Sequence, residues 1–308
     1  MKENLRKICL SVIYGGVGLV LFSPILVDNR FFFPFITTKV FLFRIVVEVL
    51  LLAFLMLNLS SDAYRPKWNW LTVFLSAFIV VAGVSSALGH NFYVSFWGDI
   101  ERGEGLLLWL HLLVFFVMLT SVVKTRRAWL ALLDFSLGSS LLLGLFGLGQ
   151  ALKLESLLAT SGHRVDATLG NPAFFATYLL LHIAVALFLM TFRISKTVRV
   201  YYAAVILFYT FLIFTTQTRG AIVGLGAGIL LGAILLLFLY RENQMLRRVG
   251  VGLILIVLLG GGALWTFLQS DFVTQSFLYR IANVSIKPCC KCFGHKRLKV
   301  QEIAKSIL

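Results

Sequence analysis

The chain has 308 residues, 59% of them hydrophobic and 13% charged, and its mean hydropathy of +0.93 means more apolar surface than a soluble core of that length can bury. Soluble globular folds are excluded, and lipid is the expected solvent. Lys and Arg number 28 against 13 Asp and Glu, a net charge of +15, but the cations lie in short clusters between apolar runs, which argues against a nucleic-acid partner.

In chain order, a window of about 19 residues finds about nine apolar spans. Their approximate limits are 8–27, 38–58, 70–88, 104–123, 128–151, 171–192, 199–215, 219–240 and 248–268, each near the ~20 residues that cross a hydrocarbon core of ~30 Å. The expected fold class is therefore all-α: a polytopic membrane helix bundle over residues 1–268, with residues 269–308 beginning an outer-face loop and ending in a divergent tail. The first run resembles a signal peptide, but its length and the lack of a small-x-small cleavage site make it a membrane helix. Gly224, Gly226, Gly228 and Gly232 in the eighth span let helices approach closely.

Basic residues predict the orientation. Lys2, Arg6 and Lys7 precede the first span, and every second loop after it is basic: Arg65 and Lys67, then Lys124, Arg126 and Arg127, then Arg193, Lys196 and Arg199, then Arg241, Arg247 and Arg248. The positive-inside rule puts these on the cytoplasmic side, amino terminus included. The longer stretches from Gly89 to Gly105 and from Lys153 to Asn171 then face outward, and long connections carry function more often than short ones.

Three polar elements stand out. Before the sixth span, Arg164 is followed by Thr168-Leu169-Gly170-Asn171-Pro172. Gly170 permits a turn, Asn171 is a capping residue, and Pro172 suits a first helical position, so a helix starts here at the membrane surface. Helix starts attract anions, and an arginine supplies a planar fork for phosphate or carboxylate. The plainer reading is a capped helix with a solvated arginine. Between the seventh and eighth spans, Thr215-Thr216-Gln217-Thr218-Arg219-Gly220 is an abrupt polar break. Arg219 there must snorkel, pair or face a polar cavity. In the loop before the fourth span, Arg102 has Asp99, Glu101 and Glu104 beside it, so a local ion-pair cluster is expected. Within spans, Arg44 and Glu48 lie four apart and are expected to pair. His111, Asp134 and His182 are expected to make contacts between helices.

The T-x-G-N-P-x-x-x-A element after an Arg, the later T-R-G-A element opening a Gly-rich helix, and the upstream S-F-W-G-x-x-E-R-x-E-G loop resemble the O-antigen ligase and polymerase family. The resemblance covers roughly residues 30 to 286. It implies a multi-span glycosyltransferase of the cytoplasmic (inner) membrane, moving a glycan from a polyprenyl diphosphate-linked donor to a glycan or lipid-glycan acceptor, with no metal ion and no cofactor. Arg164 and Arg219 would bind the departing diphosphate. Gln217 and Thr218 would orient Arg219, Asn171 and Pro172 would fix the helix start beside it, and Arg102 and His163 would be supporting positions.

Members of that family continue past the position of Tyr279-Arg280 into a large outer-face loop whose His helps to activate the acceptor, and then re-enter the membrane. No general base is found in this chain. Ser285 to Lys296 is basic and carries Cys289, Cys290, Cys292 and His295 in a spacing that matches no standard zinc site. That segment reads as a truncated or out-of-frame end, with impaired transfer as the expectation. The rival readings are a transporter or flippase for a lipid-linked or anionic solute, with the two arginines lining its path, and a non-catalytic membrane scaffold.

Overall fold

The computed structural model describes residues 2–28, 30–31, 33–99, 102–154, 164–193, 195–239 and 244–268. Its regular elements among those residues are helices: α1 (Lys2–Phe22), α2 (Thr37–Ser60), α3 (Trp70–Leu88), α4 (Phe92–Trp97), α5 (Leu106–Val122), α6 (Arg126–Ala151), α7 (Pro172–Phe192), α8 (Lys196–Thr215), α9 (Arg219–Leu239) and α10 (Gln244–Leu268). Seven of them, α1, α2, α3, α6, α7, α8 and α9, have the length and apolar composition to cross a bilayer. The expected nine thus reduces to seven by this criterion. The fourth expected span shortens to the 17 residues of α5, about 26 Å at 1.5 Å per residue. Ahead of it the short α4 forms where Asn91 Oδ1 accepts from the Val94 N–H. The tail with its cysteines and His295 lies outside the described residues.

Local chemistry sets several helix starts. Asn69 Oδ1 accepts from Thr72 N at 2.8 Å, and Thr125 Oγ1 accepts from Ala128 N at 3.2 Å, each satisfying an amide that the first turn leaves open.

The chain divides into two units, residues 1–222 and 223–308. In the first, α1 and α2 lie side by side. Cys9, Ile13 and Val17 of α1 bury against Val46, Val47, Leu50, Ala53, Phe54 and Leu57 of α2, with Met118 and Val122 of α5 closing the cluster. These spacings of three and four residues are one helix face each. A second face-to-face pair is α7 and α8, where Phe175, Leu179, Ile183 and Leu189 on one side and Val205, Tyr209 and Leu212 on the other are buried. Helix α6 joins this pair through its glycines. A Cβ on Gly147 would sit 2.6 Å from the Phe175 ring, and one on Gly144 would sit 2.9 Å from Phe208, so both positions depend on the missing side chain for contact.

The outward surface is apolar. Phe74, Val80, Val81 and Leu88 of α3 are 66%, 63%, 67% and 84% exposed, an arrangement that water would penalise and hydrocarbon accommodates. In the second unit, α9 and α10 approach closely at Gly250, where a Cβ would lie 3.1 Å from the Ala233 carbonyl oxygen.

Several polar residues inside helices of the first unit are paired across helices. His182 Nδ1 lies 2.8 Å from the Tyr178 carbonyl and its Nε2 lies 3.0 Å from Ser136 Oγ. Because the carbonyl can only accept, Nδ1 carries the proton and Nε2 accepts from the serine. The Asp134 carboxylate receives Tyr202 Oη at 2.6 Å and the Arg193 guanidinium. Hydrogen bonding to that carboxylate raises the Arg193 pKa above its already high ordinary value. The expected Arg44–Glu48 pair does not form. Arg44 Nη2 donates to the Gly103 carbonyl at 2.7 Å, while Glu48 faces His111 Nε2 at 3.4 Å. In an apolar setting the guanidinium takes the strong tertiary acceptor, leaving the more exposed carboxylate to the histidine on the next helix.

Candidate anion site at one end of the bundle

Helix α6 ends with Leu152 N donating to Leu148 O at 2.9 Å and Leu154 N to Gly149 O at 3.1 Å, while Lys153 takes a left-handed φ of 56°. These bonds close the last carbonyls of the helix. The chain is described again from Arg164. Val165, Asp166, Ala167 and Thr168 are then 7%, 1%, 0% and 1% exposed, so this connection is not a solvated surface loop. It is tucked into the end of the bundle, and its backbone polar groups need partners there.

Gln150, in the last turn of α6, supplies three of them. Its Oε1 accepts from Asp166 N at 3.3 Å and from Ala167 N at 2.8 Å, and its Nε2 donates to Ala167 O at 3.1 Å. This clasp holds Ala167 at φ 49°, a left-handed conformation that a residue with a Cβ resists. Thr168 Oγ1 donates to the Pro24 carbonyl at 2.6 Å, and Lys39 Nζ donates at 2.6 Å to both Thr168 O and Phe35 O. The α1–α2 connection and the start of α2 therefore close over the segment.

Gly170 has φ 67°, and a Cβ there would lie 2.6 Å from the Phe35 ring. Both the conformation and the space require glycine. Gly170→Val should cost about 3 kcal/mol, combining left-handed strain with overpacking. Unfolding by SDS titration measures it, and a loss below about 0.5 kcal/mol would mean that the ring moves aside freely.

Asn171 and Pro172 take the places the sequence suggests. Asn171 Oδ1 accepts from Ala173 N at 2.8 Å, and Pro172 is the first residue of α7. Opposite them, Gln217 adopts φ 53° and breaks the chain between α8 and α9. Thr216 is fully buried; its Oγ1 donates to Ile213 O at 2.7 Å and accepts from Thr218 N at 3.3 Å.

Arg164 crosses to this break. Its Nε donates to Thr216 O at 2.9 Å and its Nη2 donates to Thr218 Oγ1 at 3.1 Å. Two elements that lie 52 and 54 residues apart in sequence are thereby joined, and Arg219 follows the bonded threonine directly. Arg219 is half-buried and opens α9; among the described residues no hydrogen bond or ion pair of its side chain is found. The Thr218 hydroxyl lies against Thr216 and Arg164, beside the kink at Gln217.

Arg102 stays apart from this construction. It is exposed, its backbone N–H donates to Asp99 O at 3.2 Å, and among the described residues it makes no ion pair with Asp99 or Glu104. Glu101 and His163 lie outside the described residues.

The end of the bundle thus gathers Arg164, Arg219 and Lys39 around a segment whose acidic residue, Asp166, is buried. Such a set is suited to a multivalent anion held where the apolar bundle meets water. Lys39 and Gln150 are not evident from sequence patterns. The available signal is a strongly polar residue in the terminal turn of an otherwise apolar helix. No family model, curated protein or solved structure matches the chain.

Proposed function

We propose that this chain is an O-antigen ligase- or polymerase-like membrane protein that binds a polyprenyl diphosphate-linked glycan through Arg164 and Arg219 and serves its transfer to a glycan or lipid-glycan acceptor. The observation that carries the reading is the Arg164 bridge to Thr216 and Thr218, because it brings both candidate arginines to one end of the bundle. The lipid tail of such a donor would lie in the bilayer, with its diphosphate at the surface where these cations stand. As the glycosidic carbon is attacked by an acceptor hydroxyl, its bond to the diphosphate oxygen breaks, and fixed guanidinium groups stabilise the charge left on that oxygen. A general base is not assigned among the described residues.

In this reading α5 and α10 are two further crossings, giving nine in an inner membrane. The basic end with Arg65, Lys124, Arg126 and Arg193 faces the cytoplasm, and Arg164 and Arg219 face outward. Single cysteines placed at Lys124 and at Lys153 in a cysteine-free background test the orientation. An impermeant maleimide should label the second and not the first, and the reverse pattern would invert the assignment.

Transfer is tested in proteoliposomes by following labelled glycan from a polyprenyl diphosphate donor into an acceptor. Incorporation above protein-free liposomes is expected, and Arg219→Ala should lower it by about 100-fold or more, the usual effect of removing a group that stabilises developing charge. Unchanged transfer by Arg219→Ala would remove the arginine from the chemistry. Donor that binds without turnover would leave a scaffold, and donor that crosses the bilayer would indicate a flippase.

A further inference from the structure

At the opposite, basic end of the first unit, a cavity of about 380 Å³ opens between the start of α3 and the end of α5, lined by Arg65, Lys67, Asn69, Thr120, Ser121 and Lys124. Next along the same two helices lies an apolar groove of about 460 Å³, lined by Leu75, Phe78, Ile79, Trp109, Leu113 and Phe116. Thr120 of the polar cavity and Phe116 of the groove are four residues apart on α5, one turn, about 6 Å along the axis. Phe78 and Trp109 meet edge to face at 5.6 Å on the walls of the groove.

We propose that these two cavities together hold one anionic phospholipid, its phosphate headgroup among Arg65, Lys67 and Lys124 and an acyl chain in the groove between α3 and α5. The charge inventory favours an anion. Arg65 is engaged by Asp62 at 2.8 Å, which leaves the pocket cationic through Lys67 and Lys124. Lys67 has no hydrogen bond or ion pair among the described residues. Lys124 gives one N–H to Ala63 O and lies 4.5 Å from the Tyr64 ring centroid, which leaves ammonium donors for a ligand. Asn69 Oδ1 is occupied by Thr72 N and Thr72 Oγ1, so the amide nitrogen is its remaining polar atom. Thr120 and Ser121 donate to carbonyls one turn back on α5 and close the floor.

The depth is also right. Trp68 and Trp70, 74% and 79% exposed, alternate with Lys67 and Asn69, and exposed indoles of a membrane protein settle at headgroup level. Basic pockets between membrane helices bind anionic headgroups. A free phosphate would use only the polar cavity. The apolar groove that begins one turn away on α5 is what selects a lipid.

Native mass spectrometry of the whole chain released from detergent tests the site, with phosphatidylglycerol, phosphatidylcholine and inorganic phosphate as probes. Phosphatidylglycerol should be retained at least tenfold more strongly than phosphatidylcholine. The Lys67→Gln/Lys124→Gln pair should abolish that preference, and Arg6→Gln/Arg127→Gln, two exposed cations outside the pocket, should leave it intact. Leu113→Trp, which fills the groove, should weaken phosphatidylglycerol binding with the headgroup pocket untouched, and serves if the charge variant does not fold. Equal loss in both charge pairs, no preference between the lipids, or displacement of lipid by inorganic phosphate at equal concentration would each overturn the proposal.

Discussion

Gln150→Leu is expected to be among the most destabilising single changes in the chain, costing about 3 kcal/mol or more. Leucine keeps the volume but removes all three hydrogen bonds to the 166–167 backbone. Each buried amide or carbonyl left without that partner costs about 1–3 kcal/mol, and the segment is too deeply packed for water to replace the side chain readily. Ala167 would also lose what holds it in a left-handed conformation. Because Arg164 begins the same segment, the variant should lose diphosphate binding together with stability. Gln150→Glu offers a graded comparison: it keeps an acceptor for the two amides but opposes Ala167 O with another acceptor. SDS-titration unfolding checks the order, with Gln150→Glu expected between the parent and Gln150→Leu. A cost below about 0.5 kcal/mol for the leucine variant would show that the segment is held by its other contacts.

Arg164→Ala should weaken isoprenyl diphosphate binding by about 10- to 100-fold, the loss of one charge-assisted contact at about 1.5–3 kcal/mol. Arg164 also ties the buried segment to the α8–α9 break, so the alanine variant alone mixes positioning with charge. Arg164→Lys separates them. Lysine keeps the positive charge but lacks the planar fork that donates to Thr216 O and Thr218 Oγ1 at once. If the guanidinium acts through its geometry, lysine should recover less than a third of the lost affinity; if only its charge counts, recovery should be nearly complete. Binding of a C15 isoprenyl diphosphate by isothermal titration in detergent distinguishes the two, with thermal unfolding of each variant as the control for fold.

What could be read from the sequence was what depends on local chemistry. Asn171 and Pro172 announce a helix start because capping needs only the next few residues, and apolar runs announce helices because lipid demands internal hydrogen bonding. Arg164 and Arg219 are conspicuous as guanidinium groups beside apolar spans. The bond from Arg164 to Thr216 and Thr218 was not legible, since it depends on how α6, α7 and α8 pack. Gln150 and Lys39 escape for a related reason. Their partners are backbone groups of Asp166, Ala167, Thr168 and Phe35, and a backbone acceptor carries no side-chain signature. Arg44 shows the opposite failure. Its spacing from Glu48 fits a helical ion pair, but the Gly103 carbonyl is reached at 2.7 Å and tertiary structure overrides the local rule. Thr218 turns its hydroxyl to Arg164 and Thr216 beside the left-handed turn at Gln217, a contact that spacing along the chain does not reveal.

The most direct test of a diphosphate site at this end of the bundle is a titration of the purified chain with C15 isoprenyl diphosphate, C15 isoprenyl monophosphate and the C15 alcohol. Saturable binding is expected with the diphosphate favoured at least tenfold over the monophosphate, and with that preference abolished in Arg164→Ala/Arg219→Ala while the alcohol binds both proteins alike. Equal affinity for the three compounds, or an undiminished diphosphate preference in the double variant, would contradict the assignment of these arginines to the donor's diphosphate.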